Sequence, residues 1–471
     1  MGNKIAHGDL CSVRRVRRGR PINADVPATE TPEAAAEPES KSPPPEEESA
    51  PPAKAKPPKP VEKATPQQGF PGALKLVGGL ALLGIVFLLI AIVGGGGGGE
   101  DDAAEAPAPV VAPPAQNGGE APAAEPTELG YPAFATGNTT RVGGADPAAN
   151  AAGVALAVFP SVTAAQRPAA VTLVNEDDWA GGIAGAVLMA APVRAPVLIS
   201  AADGAPDATE EALGALQPGG DKSTGGATAF AIGEVAAPGG KVTKVAAGSP
   251  AAEAAAIARL RERLSGSPPD HFVLAPEASP ELAMPAAAWA ARSGDPVLFS
   301  ATEKLPKATA AVLESHRGVP VYVLGPSSAI SSGVVREVAA ISKQVKRVSG
   351  EDPVANAVAF ARYDDEDFGW SINDPGHGFV LARTDAPLNA AAAAPLSASG
   401  TWGPLLLTDD AGTLPTELRS YFLDVKPGYT NNPTRAFYNH VWVIGDQEAI
   451  DVNQQAEVNE LAELTRIGNA P

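Results

Sequence analysis

The strings RVGGADPAANA (141–151) and RVSGEDPVANA (347–357) are nearly the same and lie 206 positions apart. A third, KVAAGSPAAEA (244–254), sits midway, 103 residues from each. An even period of that length constrains the fold more than any other feature of the chain. It calls for a domain-sized unit built three times, with neighbouring copies packed against one another.

Each copy repeats one order of signals. Asp146-Pro147, Ser249-Pro250 and Asp352-Pro353 read as helix starts, an N-cap side chain followed by proline at the first helical position. An alanine-rich helical stretch follows. Then come strand-like runs: AVTLVN, HFVLAP and GFVLAR first; PVLIS, PVLFS and PLLLT next; ATAFAIG, VPVYVLG and NHVWVIG last. These runs are continuously apolar, the pattern of strands buried on both faces of a parallel sheet. Strands alternating with helices imply βαβ crossovers, so the fold class is α/β, with three tandem Rossmann-like parallel-sheet repeats at 139–243, 244–342 and 343–471. Each unit is expected to be completed by the strand that opens the next motif. For the third unit, the terminal LTRIGNAP (464–471) is expected to serve. The first unit is shortened, since AIGEVAAPGGKVTKV leaves little room for a helix after its third strand.

Composition divides the rest of the chain. Residues 1–71 and 94–138 are rich in Pro, Ala and Glu and poor in aromatic and β-branched residues, which predicts a disordered tail and a tether. Between them LVGGLALLGIVFLLIAIV (76–93) carries no charge and, at about 1.5 Å per residue, is long enough to cross a bilayer; 72–93 is read as one transmembrane helix. Basic residues precede it, and acidic residues follow with no Lys or Arg until Arg141. That asymmetry predicts a single-pass protein with a cytoplasmic N-terminus and an extracytoplasmic C-terminal domain. Residues 140–471 hold 23 basic and 37 acidic groups, a balance that argues against nonspecific nucleic-acid binding. The single cysteine, Cys11, permits no disulfide within the chain.

The repeats resemble the bacterial cell wall binding repeat 2 family. Arg141, Val142, Gly144, Asp146 and Ala151 match its opening motif, as do Arg347, Val348, Gly350, Asp352 and Ala357. RAPVLIS, GDPVLFS and WGPLLLT look like its later Pro-apolar element, and VYVLGPSSAI and VWVIGDQEAI like its glycine-ended strand. The resemblance implies three modules about a pseudo-threefold axis in a surface protein, some members of which anchor to anionic wall polymers. Here the family's second arginine is replaced by Pro147, Pro250 and Pro353, and its threonine by Asn150, Glu253 and Asn356.

On this reading the ligand-binding candidates are Arg141, Asp146, Asn150, Arg347, Asp352 and Asn356. Each also has a structural alternative, the arginines by pairing with the aspartates or with the next module, the asparagines at a module interface. The five histidines have no metal-ligand spacing, and no glycine-rich phosphate loop or nucleophile elbow follows a strand. The chain is therefore expected to be noncatalytic, to need no cofactor or metal, and to bind cell wall polymer or peptidoglycan, with the lipid bilayer contacted through 76–93. The alternatives are a scaffold that binds an envelope protein, and a hydrolase using strand-end carboxylates such as Asp177 or Asp409.

Overall fold

The computed structural model describes residues 135–468, apart from 237, 247 and 400–402. The predicted tail and membrane span, and nearly all of the tether, lie outside them. Among the described residues no helix is long and apolar enough to cross a membrane.

The chain opens on β1 (Thr139–Val142) and turns at once into α1 (Pro147–Val158). The first module continues through β2 (Val171–Asn175), α2 (Trp179–Gly185), β3 (Val197–Ser200), α3 (Asp207–Leu216) and β4 (Ala229–Ile232). The second motif then supplies β5 (Val242–Val245) and α4 (Pro250–Ser265). The second module follows with β6 (Phe272–Pro276), α5 (Pro280–Ala283), α6 (Pro285–Ser293), β7 (Val297–Ser300), α7 (Lys307–Ser315), β8 (Val321–Leu324) and α8 (Ser332–Ile341). The third motif supplies β9 (Val345–Val348) and α9 (Pro353–Arg362). The third module adds β10 (Gly378–Arg383), α10 (Leu388–Ser397), β11 (Leu405–Thr408), α11 (Thr416–Asp424), β12 (Gly428–Tyr429), β13 (His440–Ile444), α12 (Val452–Ala462) and β14 (Thr465–Arg466).

These strands form three four-stranded parallel sheets in the orders β3-β2-β4-β5, β7-β6-β8-β9 and β11-β10-β13-β1. The nine central runs named from their apolar character are all strands, and their side chains are almost wholly buried. As the period anticipates, β5 and β9 leave their own modules and complete the sheets before them. The helices that follow stay home: α4 packs on β7 and α7, and α9 on β11 and α11.

The third sheet departs from expectation. Its fourth strand is β1, from the other end of the described chain, in register Arg141↔Val443. The terminal stretch forms only β14, two exposed residues paired with β12. Burial decides between the two copies of the signal. Thr139, Arg141 and Val142 of β1 are sealed against β13 and α12, whereas Thr465 and Arg466 have no such cover. The result is a closed cycle in which every motif donates a strand backward and keeps its helix.

The helices after the first strand of each module meet at the centre: α2 and the 186–189 turn, α6 and α10 pack on one another. They are rich in Ala and Gly and are buried nearly throughout. Small side chains are what let three helices approach this closely. A Cβ on Gly182 would lie 3.1 Å from that of Ala391 and 3.3 Å from Leu388.

Because β1 contributes both a sheet edge and a buried arginine, a chain that begins at 143 should be less stable than one that begins at 135 by at least about 3 kcal/mol. Removal of 464–471 should cost less than about 1 kcal/mol. Urea unfolding of the three chains gives the comparison.

Candidate functional site

The strand-to-helix entrance is the repeated element, and it holds all six residues singled out above. Arg141 is 1% exposed. Its guanidinium leaves β1 over the turn that follows β13. Nη1 donates to the carbonyls of Gly445 (2.8 Å) and Asp446 (2.6 Å), Nη2 to that of Ile450 (2.6 Å), and Nε to Gln455 Oε1 on α12 (3.0 Å). Burial pulls its pKa down to about 10, opposed by Asp446 and Asp451, so the group stays charged at neutral pH. Arg347 repeats the arrangement one module earlier, donating to the carbonyls of Gly325 and Ile330. The glycine that ends the third strand of the second and third modules is explained here. Gly325 and Gly445 have φ of +105° and +103°, a left-handed turn that suits glycine. Among the described residues the first module has no helix between β4 and β5; its Gly233 also has positive φ (+72°), but Lys244 stands exposed in the arginine's place.

Asp146 and Asp352 do not pair with these arginines. They cap α1 and α9, accepting from the amides of Ala149 and Ala355 at 2.8 Å, and Ser249 caps α4 in the same way. Asn150 and Asn356 are buried one turn into their helices. Oδ1 accepts from the Gly144 amide (2.9 Å) or the Gly350 amide (3.3 Å), closing the turn. Nδ2 crosses to a neighbouring module, donating to Asn389 Oδ1 and to the Leu282 carbonyl, both at 3.2 Å. The polar atoms of the motif are thus engaged in the turn and in the junction between modules.

The junction between the first two modules differs. Glu253 takes the asparagine's position, is 3% exposed, and faces the carboxylate of Asp178 above Gly233. Its Oε1 has no hydrogen-bond partner among the described residues. Burial first, and Asp178 second, push its pKa up to about 8.

The strand-end carboxylates considered for hydrolysis lie in separate surroundings, Asp177 in the first module and Asp409 in the third. Asp177 and Asp409 are exposed. Asp178 caps α2 through the Gly181 amide (2.8 Å), and Asp410 is tied to the amides of Gly412 and Thr413 (2.9 and 2.7 Å). Asp177 and Asp409 lie in different modules, and no group of three potential metal ligands occurs among the described residues. The crevice beside the third motif, about 300 Å³, is lined by Glu281, Asp352, Asp385 and Asp409, surroundings that disfavour an anion.

A different chemistry appears at the opposite, N-terminal ends of the strands. In the first module the loops 159–170, 192–194 and 217–223 enclose an open cavity of about 710 Å³. Arg167 and Arg194 line it, together with Phe159, Gln166, Gln217 and Ser223. Among the described residues neither arginine forms an ion pair, and Arg167 Nε is buried without an acceptor. Arg194 holds φ of +54° and places its guanidinium 5.8 Å from the Phe159 ring centre. The only acid in the lining, Asp221, is occupied by Ser223 (2.6 Å to Oγ) and the Thr224 amide. No motif marks these arginines in the sequence, because three loops distant in the chain bring them together.

A scan of family models and a search of curated proteins find no match to the sequence. The fold is shared with solved structures. Cwp6 from Clostridium difficile superposes with a TM-score of 0.56 at 18% identity over 69% of this chain and 48% of its own. Cwp8 from the same organism gives 0.52 at 18% identity, over 69% of this chain and 52% of its own. The chain therefore spans about half the length of these proteins, and the likeness is one of fold.

Replacing Arg141 by Met strands carbonyls in a buried turn and should cost about 3 kcal/mol, whereas Lys244→Met should stay within about 0.5 kcal/mol by urea unfolding. Glu253 has its folded pKa raised from 4.5 to about 8. Its stabilising contribution is present in full below about pH 4.5 and is lost as pH rises through about 8. Glu253→Asn should therefore flatten the decline in stability between pH 6 and 9 by about 2 kcal/mol, read from melting curves across that range.

Proposed function

We propose that the described ring is a noncatalytic cell-envelope binding module of the cell wall binding repeat kind, and that it takes an anionic wall polymer. The observation that carries this reading is the cavity of the first module, whose lining holds two arginines with no ion pair among the described residues, in a domain that is otherwise acidic. Guanidinium groups recognise phosphate and carboxylate by paired, charge-assisted hydrogen bonds, and Phe159 and the neighbouring prolines offer an apolar wall for a sugar ring. The resemblance of the opening motif and the likeness of fold to Cwp6 and Cwp8 support the same class. The predicted span would already hold the protein at the membrane, so the ring would reach from membrane to wall rather than anchor the chain.

The test is pelleting of the full chain, in mild detergent, with purified cell walls before and after their anionic polymers are stripped. Binding is expected to fall with added salt and on stripping, and Arg167→Ala with Arg194→Ala should weaken it at least about tenfold. Binding that survives stripping assigns peptidoglycan as the ligand. Absence of binding to either wall preparation moves the function to an envelope protein partner.

A further inference from the structure

The second and third modules enclose another cavity, and its chemistry is different. The turn from α4 into β6 is short, 266–271, and leaves the N-terminal ends of β6 and β7 open. The longer segment 363–377, between α9 and β10, reaches across from the third module to cover them. Phe368 stacks on Tyr322 with ring centres 3.5 Å apart, Tyr322 donates to Asp365 at 2.7 Å, and Lys346 pairs with the same carboxylate. His271 bridges the two modules, with Nδ1 3.2 Å from Asp295 and Nε2 3.1 Å from Asp367. A cleft of about 440 Å³ remains beneath this strap.

Its walls are Trp289 and Trp370, set edge to face with centres 5.4 Å apart, and its polar lining includes Asp270, Asp367, Arg292 and His271. Asp295 is spent on its floor, accepting from Trp289 Nε1 (2.9 Å) and the His271 amide (3.0 Å). An indole corner with carboxylates at its rim suits a pyranose ring. The C–H face of the sugar lies on the aromatic surface, and its hydroxyls or amide donate to carboxylates. The volume admits a small saccharide. Asp270 and Asp367 are both exposed at the rim and disfavour an acidic sugar.

We propose that this cleft is a second saccharide subsite, distinct from the arginine-lined cavity, and that it takes an uncharged N-acetylated hexosamine of a wall glycan. The wall context rests on the function proposed above; the recognition of the sugar does not. The 363–377 strap positions Asp367 and Trp370, so the site exists only where the third module covers the second.

The full chain is titrated with the trimer of N-acetylglucosamine, and in parallel with a trimer of galacturonate, while intrinsic tryptophan emission is read. A saturable change is expected with the amino-sugar trimer and at least tenfold weaker binding of the uronate. Trp370→Ala should weaken the amino-sugar trimer at least tenfold. Asp270→Ala, at an exposed position that the fold does not need, should weaken it at least threefold with an unchanged melting temperature. No saturable change with the amino-sugar trimer, equal binding of the uronate, or full-strength binding by both variants would overturn the proposal. If the trimer binds and walls do not pellet, the wall reading fails and the subsite stands. If walls pellet and the trimer does not bind, the subsite fails and the wall reading stands.

Discussion

The structure depends on strands exchanged between modules and locked by arginine. A module by itself owns three parallel strands, and its outermost strand has an unpaired edge. The next motif fills that edge with a strand, and at two of the three junctions its arginine then fastens the turn beyond it. Arg141 meets three carbonyls and a glutamine in the third module, and Arg347 two carbonyls in the second. The guanidinium has donors enough to satisfy a whole turn of backbone, which an ammonium group cannot match in geometry. Stability is therefore a property of the cycle. The last link, β1 on β13, joins residues about 300 apart in the chain, so its pairing carries the largest loop-closure cost of the three.

The three junctions are not equivalent. Two are sealed by a neutral asparagine that bridges to its neighbour. The third has Glu253 against Asp178, and burial together with that neighbouring carboxylate raises the pKa of Glu253. The first module also lacks the helix after its third strand and the arginine that would bind it. Both departures fall at the same junction, between the first two modules. That junction therefore differs from the other two in both its buried polar group and its turn, and Glu253 makes it sensitive to pH in the neutral range.

Much of this was legible in sequence, for identifiable reasons. Continuous apolar runs such as PVLFS can be stable only between two layers of helix, and Asp-Pro before alanine-rich stretches marks helix starts without ambiguity. The closing strand was not legible. TTRV at the beginning and LTRI at the end carry the same local signal, and only the long-range register against β13 distinguishes them. Contact of the motif residues with a neighbouring module was one reading open from sequence, but their partners were not legible, because the carbonyls that Arg141 binds and the Asn389 that Asn150 meets lie some 240–300 positions away. Arg167 and Arg194 gave no signal at all. They sit in irregular loops where neither periodicity nor spacing is enforced.

That contrast bears on where recognition can reside in such a ring. In open parallel sheets, ligands usually lie beyond the C-terminal ends of the strands. Here that end is where motif turns, helix caps and intermodule hydrogen bonds are concentrated, and in the third module the crevice left over is acidic. Changing those residues to suit a ligand would disturb the cycle itself. The N-terminal ends carry none of the motif turns and caps, although the 363–377 strap makes intermodule contacts there. The segments between the first helix and first strand of each module, 159–170, 266–271 and 363–377, differ in length and content while the strands they serve remain alike. One builds an arginine-lined cavity, one is too short to close its own module, and one crosses to the neighbour and frames two tryptophans. A repeated scaffold whose three loops vary independently can present unlike surfaces on one face. Under the function proposed above, recognition then rests in the loops rather than in the motif that marks the repeats.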